Sequence, residues 1–196
     1  MKLIISVLVS TVLLLAGCTS VEERAEGTRI QAPPPKDVRS AVIQAQPMKE
    51  GALKNVKGLD DAPQFFARVL KSELIPRHPD WQIAVAGEKD AVSNPDLTVN
   101  TELLEVDGGD AALRFLIGFG AGAVVSRVKV SVVDRAGREL AASEISEHTS
   151  CPLGACAEDN EPLVRQNLKS LAHGTAQFIT NPSEYEKRRG SGSQSQ

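Results

Sequence analysis

Apolar positions recur along this chain with two different periods, and the changes of period mark its elements. "VVSRVKVSVVD" (Val124 to Asp134) shows a period of two most clearly. Val128, Val130 and Val132 fall on one side, Arg127, Lys129 and Ser131 on the other. "DLTVNTELLEV" (Asp96 to Val106) alternates through Leu97, Val99 and Leu103, then doubles at Leu103-Leu104, the mark of a bulge. After the turn "DRAGR", in which Gly137 suits a left-handed position, "ELAASEIS" returns as an antiparallel partner. Two shorter β-branched runs, "VRSAVIQAQ" (Val38 to Gln46) and "WQIAVA" (Trp81 to Ala86), complete a set of five strands.

The helical period governs two other segments. "DDAPQFFARVLKSEL" places Phe65, Phe66, Val69, Leu70 and Leu74 three and four apart, with Asp60 or Asp61 as N-cap and Pro63 in the first turn. Pro76 and Pro79 stop it. Leu163, Val164, Leu168, Leu171, Ala172, Phe178 and Ile179 form a longer amphipathic stripe, opened by Glu158 and Asp159 and closed before Asn181-Pro182. The order is therefore strand, helix, strand, a three-strand antiparallel run, helix. The first two strands can be joined by a parallel crossover, and two helices can cover the apolar face of the meander. This predicts an α+β two-layer sandwich with a mixed sheet of about five strands (β-α-β-β-β-β-α) and two helices on one face.

The ends have another character. Met1-Lys2 followed by the apolar run Leu3 to Ala16 has the layout of a secretory signal. Fourteen helical residues reach about 21 Å, short of a hydrocarbon core of roughly 30 Å. "LLLAGC" (Leu13 to Cys18) resembles the lipobox of bacterial lipoproteins at every position. That resemblance implies cleavage before Cys18, a diacylglyceryl group on its sulfur and an acyl chain on the new amino terminus. Three chains anchor stably where one does not. Thr19, where enteric lipoproteins retained at the inner membrane often carry aspartate, favours the outer membrane, with the domain on its periplasmic side. Residues 1–17 are thus read as signal, 18–37 as lipidated cysteine and flexible tether, 38–181 as a single domain, and 182–196 as a disordered polar tail. The tether, with its "APPPK" triplet, would reach up to roughly 60 Å from the lipid. Lys187-Arg188-Arg189 in the tail is read as solvated, with contact to an anionic surface as the sharper alternative.

Composition narrows the function classes only a little. A net charge of −3, with both signs interspersed, argues against a general nucleic-acid binder. "FLIGFGAG" (Phe115 to Gly122) is the segment that needs explaining. Its glycines, Gly118, Gly120 and Gly122, lack dinucleotide-fingerprint spacing and lead into a strand, and there is no Walker lysine. Glycine at alternate positions strips one face of an extended segment and admits a close neighbour. Two readings remain: a tight buried connection, or an exposed oily tip (Phe115, Gly118, Phe119, Gly120, Gly122) that docks a partner or dips into lipid.

The stretch from Asp96 to Leu140 resembles the signature of the domain of unknown function 4410 family, lipoproteins of Gram-negative bacteria. Arg114 stands before Gly118, Gly120 and Gly122, and the alternating strand ends in an Asp-x-x-Gly turn, Asp134 to Gly137. The resemblance covers about Val38 to Phe178 and implies no catalytic residues. The order of elements is also similar to envelope lipoproteins of the curli-secretion and penicillin-binding-protein-activator kind, an analogy of fold alone.

With Cys18 acylated, Cys151 and Cys156 in "CPLGAC" remain. In an oxidising envelope such a pair is expected to form a disulfide, worth roughly 2 kcal/mol on the chain-entropy model. A metal set of His148, Cys151 and Cys156 with Glu158 or Asp159 matches no defensible zinc spacing, and four intervening residues do not suit a redox pair. His78, His148 and His173 share no motif, and there is no Gly-x-Ser-x-Gly. The expectation is a non-catalytic, lipid-anchored envelope lipoprotein that needs no cofactor or metal and binds an envelope protein or another copy of itself. A small-ligand, lipid or glycan carrier is the alternative, and a hydrolase assembled only in three dimensions the third.

Overall fold

A computed structural model describes residues 24–35, 37–89, 92–110, 112, 122–150 and 160–192. Seven strands form one mixed sheet: β1 (Arg24–Ile30), β2 (Ser40–Ala45), β3 (Leu53–Lys54), β4 (Gln82–Val85), β5 (Leu97–Asp107), β6 (Val124–Asp134) and β7 (Glu139–Thr149). Among the described residues three helices accompany them: α1 (Ala62–Leu74), α2 (Asn160–Thr180) and α3 (Pro182–Gly192). The strand order is β1-β7-β6-β5-β2-β4, with β3 pairing β5 beyond the end of β2. β2 runs parallel to both β4 and β5, α1 making the crossover between β2 and β4, while β5, β6, β7 and β1 are antiparallel neighbours.

The sheet's faces follow the alternation in sequence. Val128, Val130 and Val132 are buried with Leu97, Val99, Leu103, Ala41, Ile43 and Ile145, while Lys129 is exposed on the opposite face. The doubled Leu103-Leu104 is a bulge: Leu103 faces Val128 and Glu105 faces Arg127, so Leu104 is extra. One inserted residue resets the parity, and Val106 returns to the buried face. α1 contributes Phe66, Leu70 and Leu74, and α2 contributes Leu168, Leu171, Phe178 and Ile179. Each of these side chains adds roughly 1.5–3 kcal/mol of burial.

The expected α+β architecture is found, with Asp61 at the N-cap position of α1. The Asp61 side chain makes no capping bond; its carboxylate lies 3.4 Å from Arg68 and 3.9 Å from Arg165. Three expectations are corrected. β1 lies inside the segment read as a tether, and with the two-residue β3 it raises the strands from about five to seven. β1 carries no run of apolar residues; Thr28 holds it through Oγ1, 2.8 Å from Ser143 Oγ and donating to Glu186 at 2.7 Å. Finally, the tail is helix α3 as far as Gly192, which makes a third helix. Asn181 is its cap: Glu184 N–H donates to Asn181 Oδ1 at 3.2 Å and Asn181 Nδ2 to Glu184 Oε2 at 3.0 Å. Pro182 sits at the first position, where a missing N–H costs nothing. Asn181-Pro182 therefore ends one helix and starts the next. Tyr185, buried, meets Phe178 edge-on at 5.7 Å.

Candidate functional site

Both unusual connections of the chain leave the sheet at one end. Asp107 closes β5 and pairs with Val125, Val124 at the start of β6 pairs with Thr149, and Thr149 closes β7. The chain between Gly108 and Ala123, which includes the glycine run, and the chain between Ser150 and Asn160, which includes both late cysteines, are thus anchored side by side.

This end is pinned by short-range polar bonds. Asp107 Oδ1 accepts from Gly109 N–H at 2.8 Å and from Asn55 Nδ2 at 2.9 Å. Asn160 Nδ2, from the first residue of α2, donates to Asn55 O at 2.8 Å. Asn55 is left-handed (φ 52°), a conformation asparagine tolerates better than most residues. Gly108 N–H donates to Lys54 O at 2.9 Å, and a Cβ on Gly108 would stand 2.4 Å from Asn55 O. Only glycine lets the two backbones approach this closely. Asn55, Lys57, Asp110, Asn160 and Glu161 line an open cleft of about 720 Å³ beside it. Lys54, pointing to the other face, is bonded to Glu105 at 2.7 Å, which raises its pKa.

Beneath this end, between sheet and α2, lies a polar cluster inside the apolar core. Ser126 and Asn167 are fully buried; Glu147 and Thr149 nearly so. Asn167 Nδ2 donates to Glu147 O at 3.2 Å and Thr149 Oγ1 at 2.9 Å, fastening α2 to β7. Ser126 Oγ and Asn167 Oδ1 have no hydrogen-bond partner among the described residues, although a buried unpaired polar atom costs about 1–3 kcal/mol.

Of the residues singled out in the sequence, Gly122 stands in a turn ahead of β6 with φ 68°, where a left-handed glycine is needed. Phe115, Gly118, Phe119 and Gly120 lie outside the described residues, as do Cys18, Cys151 and Cys156. The three histidines do not converge. His148 lies on β7 opposite Val125. His173 Nδ1 lies 2.8 Å from Glu73 Oε2 on the α1–α2 surface. His78 stacks on Trp81 with centroids 3.7 Å apart, and its Nε2 is 3.1 Å from Thr180 Oγ1. Burial, then the charge of Arg77, lowers the His78 pKa. Among the described residues no group of three or more His, Cys, Asp or Glu is placed to hold a metal ion. Sequence reasoning missed Asn55, Gly108, Asn160 and Asn167. The doubled glycine of "VDGGD" was the one local signal, since the partners are 52 or more residues away from one another in sequence for Asn55–Asp107 and Asn55–Asn160.

The family model described as a domain of unknown function (DUF4410) matches residues 37–150. No curated protein is significantly similar to the chain. Among solved structures it is similar to a PelC dodecamer from Paraburkholderia phytofirmans, at 11% identity and a TM-score of 0.46, over 78% of this chain and 96% of that one. It is also similar to protein XCC0632 from Xanthomonas campestris, of family DUF330, at 9% identity and a TM-score of 0.46, over 82% of this chain and 96% of that one.

Proposed function

The chain belongs to the DUF4410 family, and from that premise we propose that it is a lipid-anchored lipoprotein of the outer membrane, non-catalytic, whose domain docks an envelope protein. The lipobox at Leu13 to Cys18 carries this reading. The gathering of both connections at one sheet end, with the oily glycine run in one of them, supports that end as the docking surface. Three arginines at the periphery of the described core are ion-paired: Arg127 with Glu105 at 3.2 Å, Arg138 with Asp134 at 2.7 Å, Arg165 with Glu161 at 2.8 Å.

Crosslinking in intact cells followed by mass spectrometry tests the proposal, with Phe119→Asp as the matched variant. Recovery of one specific envelope protein, lost in a folded Phe119→Asp chain, is the expected result. The cleft of about 720 Å³ with its asparagine and aspartate lining favours a second reading, a carrier of a polar ligand such as a glycan. A co-purifying small molecule without a protein partner would establish that reading instead.

A further inference from the structure

The stretch between anchor and domain is short. Only Thr19 to Glu23 separate Cys18 from Arg24, the first residue of β1. At about 3.3–3.6 Å per residue, the start of β1 lies within roughly 22 Å of the modified sulfur. β1 is the outermost strand on its side, and Arg24 pairs with Ser146, three residues before the end of β7. The chain therefore enters at one corner of the sheet. The opposite corner is held by β4, where Gln82 pairs with Ser40 and Trp81 precedes it. With strands about 4.8 Å apart and a rise of about 3.3 Å per residue, the two corners are roughly 40 Å apart.

A second feature lies along the entry edge. α3 packs against β1, Glu186 turning inward to accept the Thr28 hydroxyl at 2.7 Å. Lys187 and Arg188, next along the helix, are exposed, Arg188 beside Glu184 on its own helix. With Glu186 turned inward and Glu184 paired to Arg188, the outward side of this stretch carries one net positive charge, that of Lys187. Anionic headgroups attract basic residues by about 1 kcal/mol each, roughly fivefold in affinity.

Resting on the lipid-anchored reading above, we propose that the β1–α3 edge is the face turned toward an anionic bilayer, with Lys187 and Arg188 meeting headgroup phosphates and the β4 edge pointing away. Trp81, the chain's single tryptophan, is a built-in reporter of the far corner. His148→Trp in a Trp81→Phe background reports the near one, because His148 is a half-exposed residue one position before the end of β7. Lipidated full-length protein would be placed in phosphatidylethanolamine–phosphatidylglycerol vesicles containing a dansyl-headgroup lipid. Energy transfer from residue 148 should be several-fold greater than from Trp81, and Lys187→Glu with Arg188→Glu should reduce it. If Trp81→Phe does not fold, His148→Trp added beside Trp81 must raise total transfer. Equal transfer from both positions, in protein whose intact mass carries the acyl chains, overturns the orientation. Transfer unchanged by the double charge reversal overturns the headgroup contact. An intact mass with a bare Cys18 overturns the anchor itself, by a separate readout.

Discussion

At the scale of single residues, Gly108 and Asp134 show how backbone geometry fixes identity. A methyl group on Gly108 meets a carbonyl oxygen at 2.4 Å, and that oxygen also accepts the Asn160 amide, so it has no free direction in which to retreat. Gly108→Ala should lower stability by about 3 kcal/mol, read as an earlier urea midpoint. Asp134 organises the β6–β7 turn: its Oδ1 accepts from the N–H groups of Ala136 and Arg138, both at 2.9 Å, around left-handed Gly137. Those bonds, the Arg138 backbone N–H first, hold its pKa below the ordinary aspartate value. A carboxylate depressed in the folded state contributes stability that is complete above its unfolded pKa, near 4, and is lost as pH falls through the folded value. The loss of stability between pH 5 and pH 2 should accordingly be shallower in Asp134→Asn than in the parent. This turn was legible, because its residues are local. Gly108 was not, because its obstacle comes from Asn55.

At the scale of elements, α3 and the α1–α2 contact are the informative cases. The α3 segment has one large apolar side chain, and a helix with so little to bury reads as a tail. Its cap was nevertheless written in "NPSE", and Tyr185 supplies the docking. Tyr185→Ala should cost about 2–3 kcal/mol. Amide exchange should show α3 deprotected while β5 to β7 stay protected, since a terminal helix opens as its own unit. Where α1 ends, His78 sits between Trp81 and Thr180. Thr180 Oγ1 donates to Ala176 O, so toward His78 it accepts, and the imidazole carries its proton on Nε2. A histidine with lowered folded pKa favours the native state fully above its unfolded value of about 6.5, and that contribution fades as pH drops below it. The thermal midpoint should fall between pH 7.5 and 5.5, and His78→Phe, which keeps a ring against Trp81, should flatten that slope.

For the molecule as a whole, the connectivity gathers one end of the sheet into a single surface. β5 and β6 meet there by a long connection, β7 hands over to α2 beside it, and β1 begins only three residues up β7. The first residue of β1, the two ends of the β5–β6 connection and the end of β7 consequently lie at one end of the sheet, although more than a hundred residues of sequence separate Arg24 from Thr149. Cys18→Ser should move the protein from the membrane fraction to the soluble fraction, followed by flotation and palmitate incorporation. A variant still floating with label would refute the anchor.

Periodicity and local chemistry in the sequence determined the five principal strands, the bulge at Leu103-Leu104, the turn at Asp134 to Gly137 and helices α1 and α2. Each of these rests on residues within a few positions of one another. Only the tertiary structure decided that "RAEGTRI" is an edge strand, that the basic tail is a docked helix, and that Asn55, Gly108 and Asn160 interlock. These segments bury little of their own. Their stability comes from hydrogen bonds and contacts with partners brought near by the rest of the fold, and no local pattern records those partners.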